Sequence, residues 1–572
     1  MQTLRRTIAV LIFPAIAYLG AGCERTDTPT ASTAVPPISA ALLPTPTRWV
    51  NVFDPTPTPP GTSCLNAGYT SISAAMAAPA VPGDVIQVCP GPYTENVLVN
   101  VMNVTLLGAQ AGMPVAMRTF GDALESTVTG IPTAGVPVFR VAATNVTIDG
   151  FSVKNLVVSG DAFGIGVRVT GNDAVIANNI VHMVTTPDPN GAAQAIYLEN
   201  GPDRVSILGN DLAYVESNKS AKGVFVGDAA STDPSMSILI EGNSITNITS
   251  VQVPTGMPAR GAYGILFNNG ANLINGTNNT GLEIRNNTIN NLSSLGWVHA
   301  IGLEANTPGV LVRDNSISAL VSPSLDLVAV FFEANPSYTS GMVNQNNFNV
   351  SPAAYGIALH PALTVTGEVN GTCNWWGDPD GPQQPQGQSL AGAKVTNGVD
   401  FTPWLSMPAP FGACIGGQPS TPGKVTGGGQ IDGDPVFAVD GVLLSLPALV
   451  PSLSDPNSRA NFGFVVQQAV DAQFPTGNLE YNDQAAGVRI KATSFDKLVI
   501  STGTCGPQTH AEFTGIATVV DQTGTHTGES LTVKVDDCGT PGTMGDKFEI
   551  TTLPSSYHNG PSVLIGGNIK IH

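Results

Sequence analysis

Short apolar strands recur along the middle of this chain, each closed by an asparagine that stands two places ahead of another apolar residue. The series runs VIANNIV (Asn178), ILGNDLA (Asn210), IEGNSIT (Asn243), IRNNTIN (Asn287), VRDNSIS (Asn315), VNQNNFN (Asn346) and TCNWWGD (Asn374). Its steps are 28 to 33 residues, with one of 44 between Asn243 and Asn287. Self-similarity at a fixed period marks a solenoid, in which each repeat buries its apolar face only against the next. The repeats alternate like strands and carry no helical spacing, so they predict a parallel β-helix. Inward asparagines stacked at one turn would hydrogen-bond each other and the neighbouring backbone.

A second strand in each repeat has the form small–Ile/Val–x–apolar–x: GIGVR (164–168), AIYLE (195–199), GVFVG (223–227), GILFN (264–268), AIGLE (300–304), AVFFE (329–333) and GIALH (356–360). Alternation places Ile165, Ile196, Val224, Ile265, Ile301, Val330 and Ile357 inside. Two outward ladders follow. One is expected to run Gly166, Tyr197, Phe225, Leu266, Gly302, Phe331, Ala358, and the other Arg168, Glu199, Gly227, Asn268, Glu304, Glu333, His360.

Both ends of a solenoid need covers, because they expose strand edges and an open core. At the first end, Ser71–Glu95 predicts a short amphipathic helix with Ile72, Ala75 and Met76 on one face, then a Pro82-Gly83-Asp84 turn and a strand at Val85–Val88. This opening, with IQVCPGPYTE at 86–95, resembles the V-x-V-x-P-G-x-Y-x-E opening of right-handed parallel β-helix proteins of the pectin-lyase-like fold, over about residues 63 to 415. The resemblance implies right-handedness and says nothing of a reaction. At the other end, NWWGDPDGP (374–382) and DFTPWL (400–405) are similar to the ending of many large secreted β-helix proteins. Trp375, Trp376 and Trp404 would close the core there, or else stack on carbohydrate.

Past the Gly/Pro-rich stretch 416–424 the pattern changes to short alternating strands between turn residues. Residues 425–572 are read as a small C-terminal β-sandwich. Its GGGQI, ANFGF, GNLEYND, FDKLVIST and GGNIKIH segments resemble a module that recurs at the end of secreted bacterial proteins, from which no activity transfers. Asp536, Asp537 and Asp546 flank a Gly-rich turn. They either hold Ca²⁺, which takes several oxygen ligands, or are ordinary turn residues.

Composition places the chain outside the cell. Arg5 and Arg6 precede an apolar run from Ile8 to Leu19 and small residues up to Cys23, which predicts an export signal over 1–22. LGAGC resembles a bacterial lipobox, making Cys23 a lipidation site and a lipid anchor the expected membrane attachment; ordinary cleavage after Gly22 is the alternative. Seven cysteines less Cys23 leave three local pairs, Cys64–Cys89, Cys373–Cys414 and Cys505–Cys538, as expected of disulfides in an exported protein. Residues 23–62, rich in Thr and Pro, are expected to form an extended tether ahead of the β-helix at 63–415. The net charge of −19 argues against a nucleic-acid partner, which demands Lys and Arg on phosphates.

Chemistry is expected on the second outward ladder. Glu304 and Glu333 fall on adjacent coils and His360 on the next. Carboxylates stacked at the strand spacing of about 4.8 Å repel unless they share a proton, hold a cation or meet a ligand. That separation also suits the acid and nucleophile of a retaining glycosidase. Tyr197, Phe225 and Phe331 stand on the adjacent column, where sugars could stack, with Arg168, Glu199 and Asn268 as further contacts. The long insert between Asn243 and Asn287 would wall the groove. A row of solvated side chains accounts for the same ladder without a ligand. Glu241, Arg285 and Arg313 form a separate outward row read as surface ion pairs. The expected function is a surface-attached protein presenting this face to polysaccharide or cell-surface glycan, the alternative being a glycoside hydrolase or lyase working in the same groove.

Overall fold

The computed structural model describes residues 43–572 except 79, 133–134, 158–162, 228–233, 252–260, 269–278, 325, 334–340, 362–367, 384–391, 418–419, 433–435, 440–441, 445–458, 471, 473, 540, 543–544 and 556. The export signal, Cys23 and the insert expected to wall the groove therefore lie wholly or largely outside the described residues.

The solenoid is a single-stranded parallel β-helix. From Val85 to Leu359 each coil contributes one strand to each of three parallel sheets, and further strands at the ends bring these to twelve, nine and ten described strands. The first sheet begins at Arg48–Val50 and ends at Val399–Asp400; the second runs from Gly91–Thr94 to Asn347–Asn349; the third from Val97–Val99 to Lys394–Val395. Between them lies one continuous core of Val, Ile, Leu, Phe and Ala.

The asparagine column exists, and it starts one residue later than the sequence suggested. Asn179 lines up with Asn210, Asn243, Asn287, Asn315, Asn346 and Asn374, each side chain bonded to the next at 2.9–3.1 Å or, at the last step, 3.0 Å. Asn178 instead adopts φ 49° and donates to Asp149 at 3.0 Å. The reason is the turn from the first sheet to the second. Its first residue is left-handed in every coil (Asn178, Gly209, Gly242, Asn286, Asp314, Gln345, Cys373), and the second is the inward asparagine. Asn210 shows the bonding: its backbone N–H reaches Asn243 Oδ1 at 2.9 Å, and its amide reaches the Ile176 carbonyl at 2.9 Å. Buried backbone groups that no strand could pair are satisfied there.

The expected first cap is present. Helix Ile72–Ala77 buries Ile72, Ala75 and Met76, with Ser71 as N-cap. The Glu95 carboxylate accepts the N–H groups of Ile72 and Ser73 at 2.8 and 2.7 Å, an anion at the positive end of the helix. The extended tether predicted through residue 62 stops earlier. Arg48–Val50 pairs in parallel with Ile86–Val88, Val50 is fully buried, and Arg48 donates to the Ala75 and Ala78 carbonyls.

At the far end Trp376 is fully buried in the core, and Trp404 packs on it from outside. The indole of Trp375 donates to Asn349 at 3.0 Å. Burial, not an exposed platform, is what these rings provide. All three disulfides pair as expected, with Cα–Cα distances of 5.7, 5.1 and 5.3 Å.

The C-terminal module is one antiparallel sheet of eleven described strands that folds over its own core. Phe462 stacks on Phe548 at 4.0 Å, although their strands stand five places apart in the sheet. The glycines of GGGQI make room: a Cβ on Gly427 would lie 2.4 Å from the Phe464 ring.

Candidate functional site

The outer face of the third sheet carries the predicted ladders, with one correction of register. Arg168 pairs with Tyr197, not with Glu199, and the column continues through Phe225, Leu266, Gly302, Phe331 and Ala358. The strand 163–169 is displaced by two residues from the sequence-based alignment. A slip of two is invisible to a strictly alternating pattern, but these strands turn two consecutive residues inward, so the slip does move one residue from the core side to the outer side. In consequence Val167, not Ile165, joins the core beside Ile196, and Ile165 takes an outward position. The Glu304, Glu333 and His360 positions follow on successive coils as expected, their backbone N–H groups bonding to Phe267, Leu303 and Phe332.

The aromatic column does not offer ring faces to sugars. Tyr197 stacks on Phe225 at 5.0 Å and 14°, the Arg168 guanidinium covers Tyr197 at 5.5 Å, and the Lys222 ammonium covers Phe225 at 4.7 Å. Phe331 lies 4.2 Å from the His299 ring. Glu199 pairs with Arg168 at 3.2 Å. These residues form a self-packed wall whose exposed chemistry is polar.

A third outward column was missed from sequence. It runs Gln194, Lys222, Tyr263, His299, Val328 and Tyr355, in register across adjacent coils. Its signal was present as a polar or aromatic residue immediately ahead of the small residue: Q-A-I, K-G-V, Y-G-I and H-A-I. Reading each strand only from its small residue cut it off. Two consecutive positions in these strands, such as Ala195 and Ile196, both enter the core, which breaks simple alternation.

These columns converge on Glu304. Asn268 donates to one carboxylate oxygen at 2.7 Å, and His299 Nδ1 stands 3.9 Å from the other. His299 Nε2 faces Asp326 at 3.5 Å. Lys222, Tyr263, His299 and Glu304 are all nearly excluded from water although they point away from the core.

Burial and charge shift the titrations. Desolvation pushes Glu333 up to about 7, helped by the neighbouring Glu304 charge and opposed by His299. Desolvation pulls Lys222 down to about 8 against the attraction of Glu304. Burial opposes protonation of His299, but the nearby Asp326 and Glu304 carboxylates prevail and raise it. The Asp326 carboxyl is lowered chiefly by its bond to His299. Burial, followed by the Glu304 charge, raises Tyr263 well above the usual phenol range. An arrangement of an imidazole, a lysine amine and two carboxyl groups is able to bind a polyhydroxylated ligand and to move protons on it.

Two other predicted sites resolve differently. Glu241, Arg285 and Arg313 do form an outward row, with Arg285–Glu241 at 2.9 Å and Arg313–Glu283 at 2.7 Å. The aspartates do not form a shared ligand set. Asp536 faces His510 at 2.6 Å, while Asp537 accepts the Ile571 N–H at 3.0 Å. Asp546 accepts from Cys538 and Ile569 at 2.8 and 2.7 Å. Strand Gly566–Ile571 is an edge of the sheet, and Asp537 and Asp546 cap its unpaired N–H groups. Among the described residues no group of three or more His, Cys, Asp or Glu side chains is placed to hold a metal.

No family model matches the chain, and no curated protein matches it. Among solved structures, the pectin methylesterase of Erwinia chrysanthemi is similar at 10% identity, TM-score 0.30, over 56% of this chain and 92% of that one. A mannuronan C-5 epimerase A-module of Azotobacter vinelandii is similar at 14% identity, TM-score 0.27, over 58% and 93%. A tailspike capsular polysaccharide depolymerase from an Acinetobacter baumannii bacteriophage is similar at 8% identity, TM-score 0.27, over 72% and 76%. At these scores the likenesses decide nothing about chemistry, and the parallel β-helix stands on its own strand pairing.

Proposed function

We propose that this is an exported, surface-attached protein that binds polysaccharide along the outer face of the third sheet. The observation that carries this is the row of Asn268, Glu304, Glu333 and His360 beside Lys222 and His299. Hydrogen-bonding groups repeat there at the coil spacing of about 4.8 Å, which suits a polymer of hydroxylated rings lying along the solenoid. Because the aromatic faces are already occupied, recognition rests on polar contacts. The signal-like N-terminus, Cys23 and three disulfides support export, with the lipid on Cys23 as anchor. Screening on a glycan array should give binding that Glu304→Gln and Asn268→Ala each reduce at least tenfold. Equal binding by both variants would refute the site. Fatty-acid labelling lost in Cys23→Ser tests the anchor.

A second reading is that the groove also processes its glycan, as a hydrolase or lyase. One observation favours it: titratable groups of opposite preference are buried at a single point, which binding alone does not require. Glu333 would act as the proton donor and Glu304 as the ionised partner. Reducing-end release and unsaturated-sugar absorbance on the glycan that binds would separate the readings, since binding without product supports the first.

A further inference from the structure

The outer face of the second sheet offers what the third sheet does not, an aromatic ring with a face left open. Residues 108–125 leave the coil between the strands Thr105–Leu107 and Ser126–Thr129. An ion pair buried on both sides, Arg118–Glu125 at 2.7 Å, pins this excursion, and Arg118 also donates to the Asn178 carbonyl. Phe120 is thereby set on the His182 ring, stacked at 4.9 Å, while Asp211 holds the same ring at 2.8 Å. Tyr214, on the next coil, meets His182 at 5.6 Å with the two rings 76° apart. It remains 54% exposed, so at least one face of the phenol looks into solvent.

The backbone under Tyr214 suits a different residue. One outward position of this sheet is left-handed in five successive coils, running Met183, Tyr214, Asn247, Asn291 and Ala319 with φ from 50° to 55°. Asparagine adopts that conformation readily and a bulky side chain does not. The ring is therefore displayed at a conformational cost that the two following coils avoid. Beyond it the face is uncharged. Every outward side chain on Ser244–Ser250 and Thr288–Ser294 is a hydroxyl or an amide, among them Thr246, Asn247, Thr249, Asn290, Asn291 and Ser293. The three strands are in register, so these groups repeat beside Tyr214 at the coil spacing of about 4.8 Å.

We propose that Tyr214 and the uncharged rows beyond it form a second saccharide-binding surface, for a neutral polysaccharide, separate from the groove on the third sheet. A sugar ring is apolar on its C–H face and polar at its rim. It takes a phenol beneath it and hydroxyl and amide partners alongside. A charged glycan would find no counter-charge on these two coils. A protein partner would need about 800 Å² of this surface buried around an apolar centre. A single aromatic side chain supplies only about 150–250 Å² of it.

The test is calorimetric titration of the full chain with cellohexaose, mannohexaose and maltohexaose, with hexagalacturonate as the charged comparison. At least one neutral hexasaccharide should bind with Kd below about 1 mM. Tyr214→Asn should weaken that binding about tenfold or more, and its melting temperature should equal or exceed that of the wild type, because asparagine suits the left-handed backbone. Tyr214→Phe, which keeps the ring, should bind within about threefold of the wild type. No binding of any neutral hexasaccharide at about 1 mM, or unchanged binding in folded Tyr214→Asn, overturns the proposal. Hexagalacturonate binding that is lost in Tyr214→Asn overturns its neutral specificity. Any array signal that depends on Glu304 should survive in Tyr214→Asn, and its loss there would mean one surface in place of two. The Tyr214 comparison decides this site even if the third sheet binds nothing.

Discussion

Asn268 donates its side-chain amide to a Glu304 oxygen across 2.7 Å, joining two coils of the solenoid through their outer face. The contact fixes one carboxylate oxygen of a side chain that is nearly excluded from water. A buried charge without such partners costs far more than it returns, so this bond is what makes Glu304 tolerable where it stands.

Stability should depend on pH through Glu333. Its folded-state value, raised to about 7 from 4.5, means that the native protein holds the proton more tightly than the unfolded chain. Between those values the folded state binds more protons, so stability falls as pH rises and levels off above about 7. The side chain is partly exposed, and after screening the loss should be roughly 1–2 kcal/mol. Glu333→Gln should therefore melt at a higher temperature than the wild type at pH 8 and lose that advantage near pH 4.5. Parallel melting curves at both pH values would contradict the burial of this carboxyl.

His299 should respond to Asp326. The pair stands 3.5 Å apart, and the facing carboxylate favours the charged ring. Asp326→Asn removes that support while Glu304 remains, so the imidazole titration followed by NMR should move to lower pH. The raised value makes His299 a stabilising group below about 6.5, with that contribution fading as pH rises through its folded value. An unchanged His299 midpoint would show that Glu304 alone sets it.

Breaking the asparagine column should be expensive. Asn243 gives its amide to the Ile207 carbonyl and to Asn287, and its carbonyl oxygen accepts from both the backbone and the side chain of Asn210. Asn243→Ala leaves several of these buried groups unmatched, a loss of about 2–4 kcal/mol in denaturant unfolding. Asn247→Ala, at an outward position of the same coil, should cost under about 1 kcal/mol.

Asp546→Ala should loosen the C-terminal strand. It orphans the N–H groups of Cys538 and Ile569, costing about 2–5 kcal/mol, with faster amide exchange at Ile569 as the local signature. Calcium should leave the melting temperature of the wild-type protein unchanged, because Asp537 and Asp546 already serve backbone donors and Asp536 pairs with His510.

Much of the architecture was readable from the chain alone. Period and alternation were enough for the coils and the cap helix, because each depends on which face of a strand or helix a residue occupies, while the Trp-lined end came from its motif and the three cysteine pairs from counting and nearness in sequence. The errors came where that logic is silent. Asn178 and Asn179 are both asparagine, and only the left-handed turn says which one enters the column. Arg168 landed one column away because its strand is slipped by two residues, a shift that strict alternation does not reveal even though it moved Ile165 to the outer face. The aromatics Tyr197 and Phe225 were rightly placed on an outward ladder, yet their ring faces were spent on each other and on Lys222 and Arg168.

Local sequence, then, determined that a parallel β-helix forms and that Glu304, Glu333 and His360 follow one another up its side, since strand periodicity is a short-range property. Tertiary structure alone decided that Lys222, Tyr263 and His299 join them and that Glu304 is held by Asn268. Residues some 30 to 40 positions apart meet there only because stacked coils bring them within hydrogen-bonding reach. Electrostatic roles at that spot are set by burial and by neighbours across coils, neither of which any single repeat contains.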